Sequence, residues 1–388
     1  MREVAVISSV RTAVAKGKRG GFKDTRPDTL LAAALQGAVA RAGIDPALLD
    51  DLIVGTAMPE AEQGTNVARI GGVLAGLPDS VPAITINRFC SSGLQAIAQG
   101  ASGILAGWQN AVIAGGVESM SFIPMTGQKP APNPKLIASH PEVYTPMGIT
   151  AEIVADRFGV SRADQDAFAV ESHRRAIAAI AAGHFAGEII PVSTRVYNDG
   201  AWTDVTISVD EGPRATTAEA LAGLKPAFKA GGSVTAGNSS QVSDGAAATI
   251  IAERSWAVER GLPVIGLLRG YSVVGVPPEI MGVGPRYAIP KVLEQTGLSI
   301  DDIDIFEINE AFASQALYCV RELGINPERV NPTGGAIALG HPLGCTGARL
   351  TATLLAALRR TGKRYGVVSM CIGGGMGAAA VYENPDAA

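Results

Sequence analysis

The chain has 388 residues, of which 47% are hydrophobic and only 18% charged, with a net charge of −4. That length and apolar content allow two to three structural units, with further surface covered by self-association, and the slight acidity gives no electrostatic reason to expect nucleic acid as a partner. No uninterrupted apolar run of about 18 residues occurs, which excludes a membrane-spanning helix.

Cys90, Cys319, Cys345 and Cys371 lack CxxC spacing and histidine clustering, so neither zinc nor a disulfide framework is expected. The N-terminal Met1-Arg-Glu-Val-Ala-Val-Ile enters a strand-like run at once, leaving no room for a signal peptide. The final Pro385-Asp-Ala-Ala is not a peroxisomal-type tripeptide, so a cytoplasmic location is expected.

In chain order, short β-branched runs predict strands at 4–7, 52–54, 111–114, 303–308 and 366–370. Longer Ala/Leu-rich segments alternate with them, which predicts an α/β protein with a largely parallel sheet. Residues 29–41 read as a helix lined by Leu30, Leu31, Ala34, Leu35 and Ala38 and ended by Gly43. Residues 92–107 have helical spacing and no charge, which predicts a helix buried on all sides with Cys90 at its mouth. A proline-rich stretch at 121–149, helices at 150–158 and 161–185, and an irregular polar stretch at 191–241 predict a loop-rich insertion carrying binding residues. Gly43 to Asp50 is echoed by Gly297 to Asp304 at an offset of 254, and in each half a glycine- and cysteine-bearing turn then precedes a helix and a strand. Two copies of one unit would place a site at their junction. The expected division is 1–120 with 243–264 returning to it, an insertion at 121–242, and a second half at 265–388.

Three turns carry chemistry. Cys90, in Asn87-Arg-Phe-Cys-Ser-Ser-Gly93, lies between a strand and a helix whose dipole favours thiolate over thiol, and the turn offers N–H groups to an oxyanion. His341 is presented on a glycine-flanked turn before Pro342, and imidazole is the natural base for a thiol. Cys371 precedes Gly373-Gly-Gly-Met-Gly377, where a second thiol suggests a second proton transfer. The glycines lack GxGxxG spacing, which rejects a dinucleotide site.

Together with Gly115-Gly-Val-Glu-Ser-Met-Ser121 and Asn309-Glu-Ala-Phe312, these segments resemble the thiolase family over essentially the whole chain. Asn87 to Gln95, Leu339 to Gly347 and Pro146-Met-Gly-Ile-Thr150 are similar to its degradative 3-ketoacyl-CoA branch. The resemblance implies two α/β repeats in five layers, αβαβα, with a loop domain over the site, a homodimer or homotetramer, no tightly bound cofactor, and coenzyme A as co-substrate. It implies that Cys90 is acylated, that His341 takes its proton, and that Cys371 shuttles protons at the α-carbon and the coenzyme thiol. Asn309, through a water shared with His341, forms one oxyanion hole, and the N–H groups of Cys90 and Gly373 form the other. Ala236 and Ser240 match coenzyme A contacts, Ser240 at the pantetheine arm. Met147 and Phe312 match residues lining the acyl pocket. Arg214 resembles a residue beside the adenine, with the chain one residue shorter just after it. Glu118 matches a structural position. The alternatives are an acetoacetyl-CoA thiolase with a smaller pocket, a decarboxylating ketoacyl synthase, which would pair its cysteine with two histidines, and a non-catalytic lipid carrier of the same fold.

Overall fold

The computed structural model describes residues 2–387; Met1 and Ala388, which begin the N-terminal run and end the C-terminal tripeptide read above, lie outside the described residues. The first half comprises β1 (Val4–Thr12), α1 (Pro27–Ala42), β2 (Asp51–Gly55), α2 (Val67–Leu74), β3 (Ala83–Ile86), α3 (Ser92–Leu105) and β4 (Ala111–Ser119). The insertion holds α4 (Met147–Phe158), α5 (Arg162–Ala181) and a hairpin of Val192–Asn198 with Ala201–Ile207. Next comes β5 (Ser243–Glu253), followed by β6 (Gly266–Gly275), α6 (Gly284–Thr296), β7 (Ile305–Ile308), α7 (Ala313–Glu322), α8 (Thr346–Thr361), β8 (Tyr365–Ile372) and β9 (Met376–Glu383).

Local chemistry sets these boundaries. α1 opens on Pro27, whose fixed φ suits a first helical residue, two residues earlier than the periodicity predicts. It ends where predicted, on Gly43 at φ 66°. The Ser161 hydroxyl caps α5 by accepting the Asp164 N–H, but the helix stops at Ala181 and α4 begins already at Met147. α3 is not buried all round: Gln99, Ser102 and Leu105 form an exposed stripe near the open Gly107–Trp108 turn.

The strands form one sheet in the order β7-β8-β9-β6-β1-β5-β4-β2-β3, with two two-residue strands added beside it. The expectation of a largely parallel sheet is corrected. Along this path only β7–β8, β2–β4 and β2–β3 are parallel, and the five central pairings are antiparallel. β8 and β9 are joined by a tight turn, which only antiparallel strands can share. α1 and α2 pack on one face of the first-half strands, α3 and α8 lie between the halves, and α6 and α7 cover the second-half strands. The order is five layers, αβαβα.

The 254-residue offset runs through the architecture. It relates Gly43 to Gly297, the starts of β2 and β7, the starts of α3 and α8, and the starts of β4 and β8. It also relates the 3₁₀ turns Phe89–Ser91 and Leu343–Cys345 that open α3 and α8. These two helices meet at their N-termini through the paired glycines Gly93 and Gly347. A Cβ at Gly93 would lie 2.8 Å from Gly344 O, and one at Gly347 2.4 Å from Leu94 N. Glycine is required there by close approach, and that approach brings the two turns into one site.

Candidate active site

Cys90 sits on a strained turn. After β3, the Asn87 Oδ1 accepts the Phe89 N–H at 2.7 Å, and the Ser92 hydroxyl accepts the Arg88 N–H at 2.8 Å. These bonds hold Phe89 at φ 43°, a left-handed conformation costing a residue with a Cβ on the order of 1–2 kcal/mol. Cys90 is thereby turned inward and is 1% exposed, packed with Ala57, Met120, Leu343 and Met147. Its Sγ is reached by the N–H groups of Gly373 and of Cys90 itself.

The helix dipole that favours the Cys90 thiolate is opposed by burial. Burial pushes its thiol up to about 11, and the two N–H groups only partly offset this. Burial therefore favours the thiol over the thiolate.

His341 is a neutral imidazole on the second turn. Burial, and then the charge of Arg349, push its imidazole down to about 3, so it is neutral. The Thr346 hydroxyl donates to Pro342 O at 2.9 Å, and His341 Nδ1 lies 2.6 Å from Thr346 Oγ1. The hydroxyl proton being engaged, Nδ1 carries the imidazole hydrogen and Nε2 is left as an acceptor. Nε2 lies 3.3 Å from Asn309 Nδ2. Asn309 continues β7, its N–H bonded to Ser369 O, and Gln315 Nε2 donates to its carbonyl. Among the described residues no hydrogen bond joins His341 to Cys90; apo sites commonly close such bonds only on binding substrate.

Cys371 ends β8 and is fully buried with Met147, Phe312, Met281, Ala151 and Val234. Burial, then the neighbouring Cys90, hold its thiol well above the usual range. The following turn puts Gly374 and Gly375 at φ 79° and 88°, and a Cβ at Gly375 would meet Val276 O at 2.3 Å. Only glycine permits this turn, which is the one that presents the Gly373 N–H to Cys90.

Met147 touches the apolar clusters of both cysteines. Phe312 meets the Phe228 ring edge-on, centroids 5.9 Å apart. Ser240 donates its N–H to Ala311 O, beside Phe312, and Ala236 is exposed on the turn just before it. Arg214 stands apart from this group: its side chain is exposed, and its N–H reaches His173 Nδ1 at 3.4 Å. Glu118 is buried as a staple between the halves. Its carboxylate accepts from the N–H groups of Ala57 and Gly344 at 2.7 and 2.8 Å and from Gln63 Nε2 at 2.6 Å.

Sequence reasoning passed over Thr346, Phe228, Met120 and Met281. Thr346 was detectable as a hydroxyl opening a helix five residues after the histidine, and Met120 lies within the quoted Gly115–Ser121 segment; Phe228 and Met281 come from distant segments and carried no signal. A cavity of about 70 Å³ between α5 and α7, lined by Phe168, Ser172, Leu317 and Val320 among others, includes none of the three reactive side chains.

A five-layered mixed α/β fold with two buried thiols and a neutral histidine at the junction of its halves defines the class. The family described as "Thiolase, N-terminal domain" matches residues 4–255, and "Thiolase, C-terminal domain" matches residues 262–384. The chain belongs to the thiolase family. It is 56% identical over 388 residues to 3-ketoacyl-CoA thiolase A, peroxisomal, of Rattus norvegicus, covering 99% of this chain and 89% of that protein. It is 53% identical to 3-ketoacyl-CoA thiolase of Bacillus subtilis, covering 99% and 100%. The dimeric peroxisomal thiolase of Saccharomyces cerevisiae superposes with a TM-score of 0.90 at 46% identity, covering 98% and 97%. The Bacillus anthracis acetyl-CoA acetyltransferase does so with 0.90 at 40% identity, covering 99% of each chain.

Proposed function

We propose that this protein is an acyltransferase that cleaves 3-ketoacyl-CoA reversibly with coenzyme A, giving acetyl-CoA and an acyl-CoA two carbons shorter. The observation that carries the reading is the meeting of Cys90 and Cys371 under Met147.

In this reading His341 Nε2 takes the Cys90 proton as the sulfur attacks the keto carbon. The oxyanion formed at that carbon is held by the N–H groups of Cys90 and Gly373, while His341, now protonated, and a water on Asn309 hold the enolate oxygen that forms as acetyl-CoA leaves. The C2–C3 bond then breaks, and the acetyl-CoA enolate takes its proton from Cys371. The acyl group stays on Cys90, its thioester oxygen held by the N–H groups of Cys90 and Gly373, until coenzyme A, deprotonated by Cys371, removes it. Two proton transfers at two centres account for two cysteines, and coenzyme A is a co-substrate. Ser240 and Ala236 would border the pantetheine arm, Met147 and Phe312 the acyl chain; an adenine contact for Arg214 rests on resemblance alone.

The division into 1–120 with 243–264, 121–242 and 265–388 belongs to the same reading. So does a homodimer. β3 is an open sheet edge exposing Ile84, beside α2 with Ile70, Val73 and Leu74 exposed, and such an edge favours pairing with a second copy. A tetramer would be two such dimers, and light scattering distinguishes them. Four free cysteines suit a reducing compartment, so we place the protein in the cytoplasm. No helix among the described residues is long and apolar enough to cross a membrane.

The test is thiolysis across acyl lengths at fixed coenzyme A. Pro146 caps α4 at the position where a polar histidine would mark the four-carbon branch. Each buried methylene contributes about 0.8 kcal/mol, so kcat/KM should rise about tenfold or more from acetoacetyl-CoA to 3-ketooctanoyl-CoA. A maximum at four carbons would make the acetoacetyl-CoA reading correct instead.

A further inference from the structure

Behind the imidazole lies a second layer of polar side chains that the mechanism does not use. Along β7, Ile305 faces the inter-half core with Leu350, Leu354 and Leu358 of α8, whereas Phe306 and Ile308 face α6. Alternation puts Glu307, and Asn309 beyond it, on the α8 side. On α8, Thr346, Arg349 and Thr353 stand at helical spacing on one face. Thr346 meets His341, and Thr353 donates to Glu188, which accepts from Arg11 Nε. Arg349 and Glu307 thus lie one step below the layer of Asn309, His341 and Thr346.

Both are buried to the limit, Arg349 at 1% and Glu307 at 0% exposure. Yet Arg349 Nε and Nη2, both Glu307 carboxyl oxygens, and Asn309 Oδ1 have no hydrogen-bond partner among the described residues. Five such atoms on three neighbouring side chains are too many for a protein interior to leave dry, because each costs on the order of 1–3 kcal/mol when unpaired.

We propose that Arg349 and Glu307 are positioning residues: they bind internal water that anchors Asn309 Oδ1, with the Arg349 guanidinium standing one layer behind the imidazole. Water suits the site, since it both donates to Glu307 and Asn309 and accepts from Arg349. The carboxyl carries a proton at neutral pH, burial pushing it up to about 8 against the pull of Arg349. Titratable or charged side chains on the elements packed about the imidazole are Arg349, Glu307, Glu310, Cys90, Cys371, Glu118 and Asp244. Arg349 is the one whose charge acts on it.

The first test does not depend on the proposed reaction. A crystal structure at about 1.5 Å should show ordered water within about 2.7–3.2 Å of Arg349 Nη2, a Glu307 oxygen and Asn309 Oδ1. A dry space, or a direct Arg349–Glu307 pair, would overturn the proposal. The second test rests on the acyl-Cys90 reading: single-turnover acylation by acetyl-CoA across pH. Arg349→Met should move the acidic limb up by about one pH unit while Arg349→Lys leaves it within a few tenths; coincident limbs for Met and parent would sink the role of the charge. Glu307→Leu should lower kcat about tenfold with KM within about twofold; an unchanged kcat would sink the anchoring of Asn309, and should Arg349→Met not fold, this variant and the crystal structure decide. No acylation of the parent protein would count against the proposed function alone, leaving the crystallographic result to stand by itself.

Discussion

The turn that opens α3 and the turn that opens α8 are 3₁₀ turns at equivalent places, 254 residues apart, that differ in conformation, Phe89 alone of the pair Phe89 and Leu343 being left-handed. Asn87 stands where His341 does, Arg88 where Pro342 does, Cys90 where Gly344 does, and Ser92 where Thr346 does. In the first turn the Ser92 hydroxyl is taken up by the backbone, accepting from Arg88 and donating to Phe89 O. Pro342 has no N–H to give, so the Thr346 hydroxyl is free to accept from His341. A single proline thus separates a turn whose hydroxyl bonds only backbone from one whose hydroxyl also meets an imidazole. Gly344, where the nucleophile would be, has no room for a side chain: its Cβ would lie 2.5 Å from Thr56 Cα, and its N–H is held by Glu118.

Making the second turn like the first should remove the base. His341→Asn should slow acylation of Cys90 by about 10³-fold or more, measured by mass spectrometry of the quenched protein. A loss below tenfold would mean that another group takes the proton. Filling the second turn is the next largest change. Gly344→Ala should destabilise the fold by about 1–3 kcal/mol through overpacking against Thr56, read as a lower urea midpoint with unchanged slope. An unchanged midpoint would mean that the second turn does not press against Thr56. Thr346→Val keeps the shape and removes the Nδ1 partner, and should cost roughly tenfold in kcat as the wrong tautomer becomes populated.

The pH dependence is subtler. The pKa of His341 is lowered from 6.5 to about 3 by burial and then by Arg349. The base form therefore persists below neutrality, and acylation should show no acidic limb near 6.5, declining only as pH falls toward 3. Glu307 acts on stability with the opposite sense. Its pKa, raised from 4.5 to about 8, means the folded state binds the extra proton, so its contribution is full below 4.5 and is lost as pH rises through 8. Glu307→Gln should flatten that part of the stability profile; an unaltered slope between pH 5 and 8 would place Glu307 in a wetter setting.

What could be read beforehand follows the same division. The repeat, the glycine caps and the three reactive turns are local patterns, visible as spacing around Gly43, Cys90, His341 and Cys371. The sheet's mixed direction was not visible, because β1, β5, β6 and β9 pair across the chain and strand periodicity is the same in either direction. The opposing effect of burial on Cys90 was hidden for a related reason: a helix dipole is written in the neighbouring residues, whereas desolvation depends on Met120, Met147 and Leu343 arriving from three other segments. Thr346 lay within a motif already singled out, but its role rests on where its proton points.

The central claim is that Cys90 carries the acyl group and Cys371 moves protons, and one paired measurement tests it. Cys90→Ala and Cys371→Ala are each incubated with acetyl-CoA in D₂O, following the mass of the protein and deuterium entry at the α-carbon. Cys371→Ala should gain the acetyl mass but lose α-proton exchange by about 10²-fold or more, while Cys90→Ala gains no mass. Acetylation of Cys90→Ala, or exchange at the parent rate in Cys371→Ala, would contradict the account.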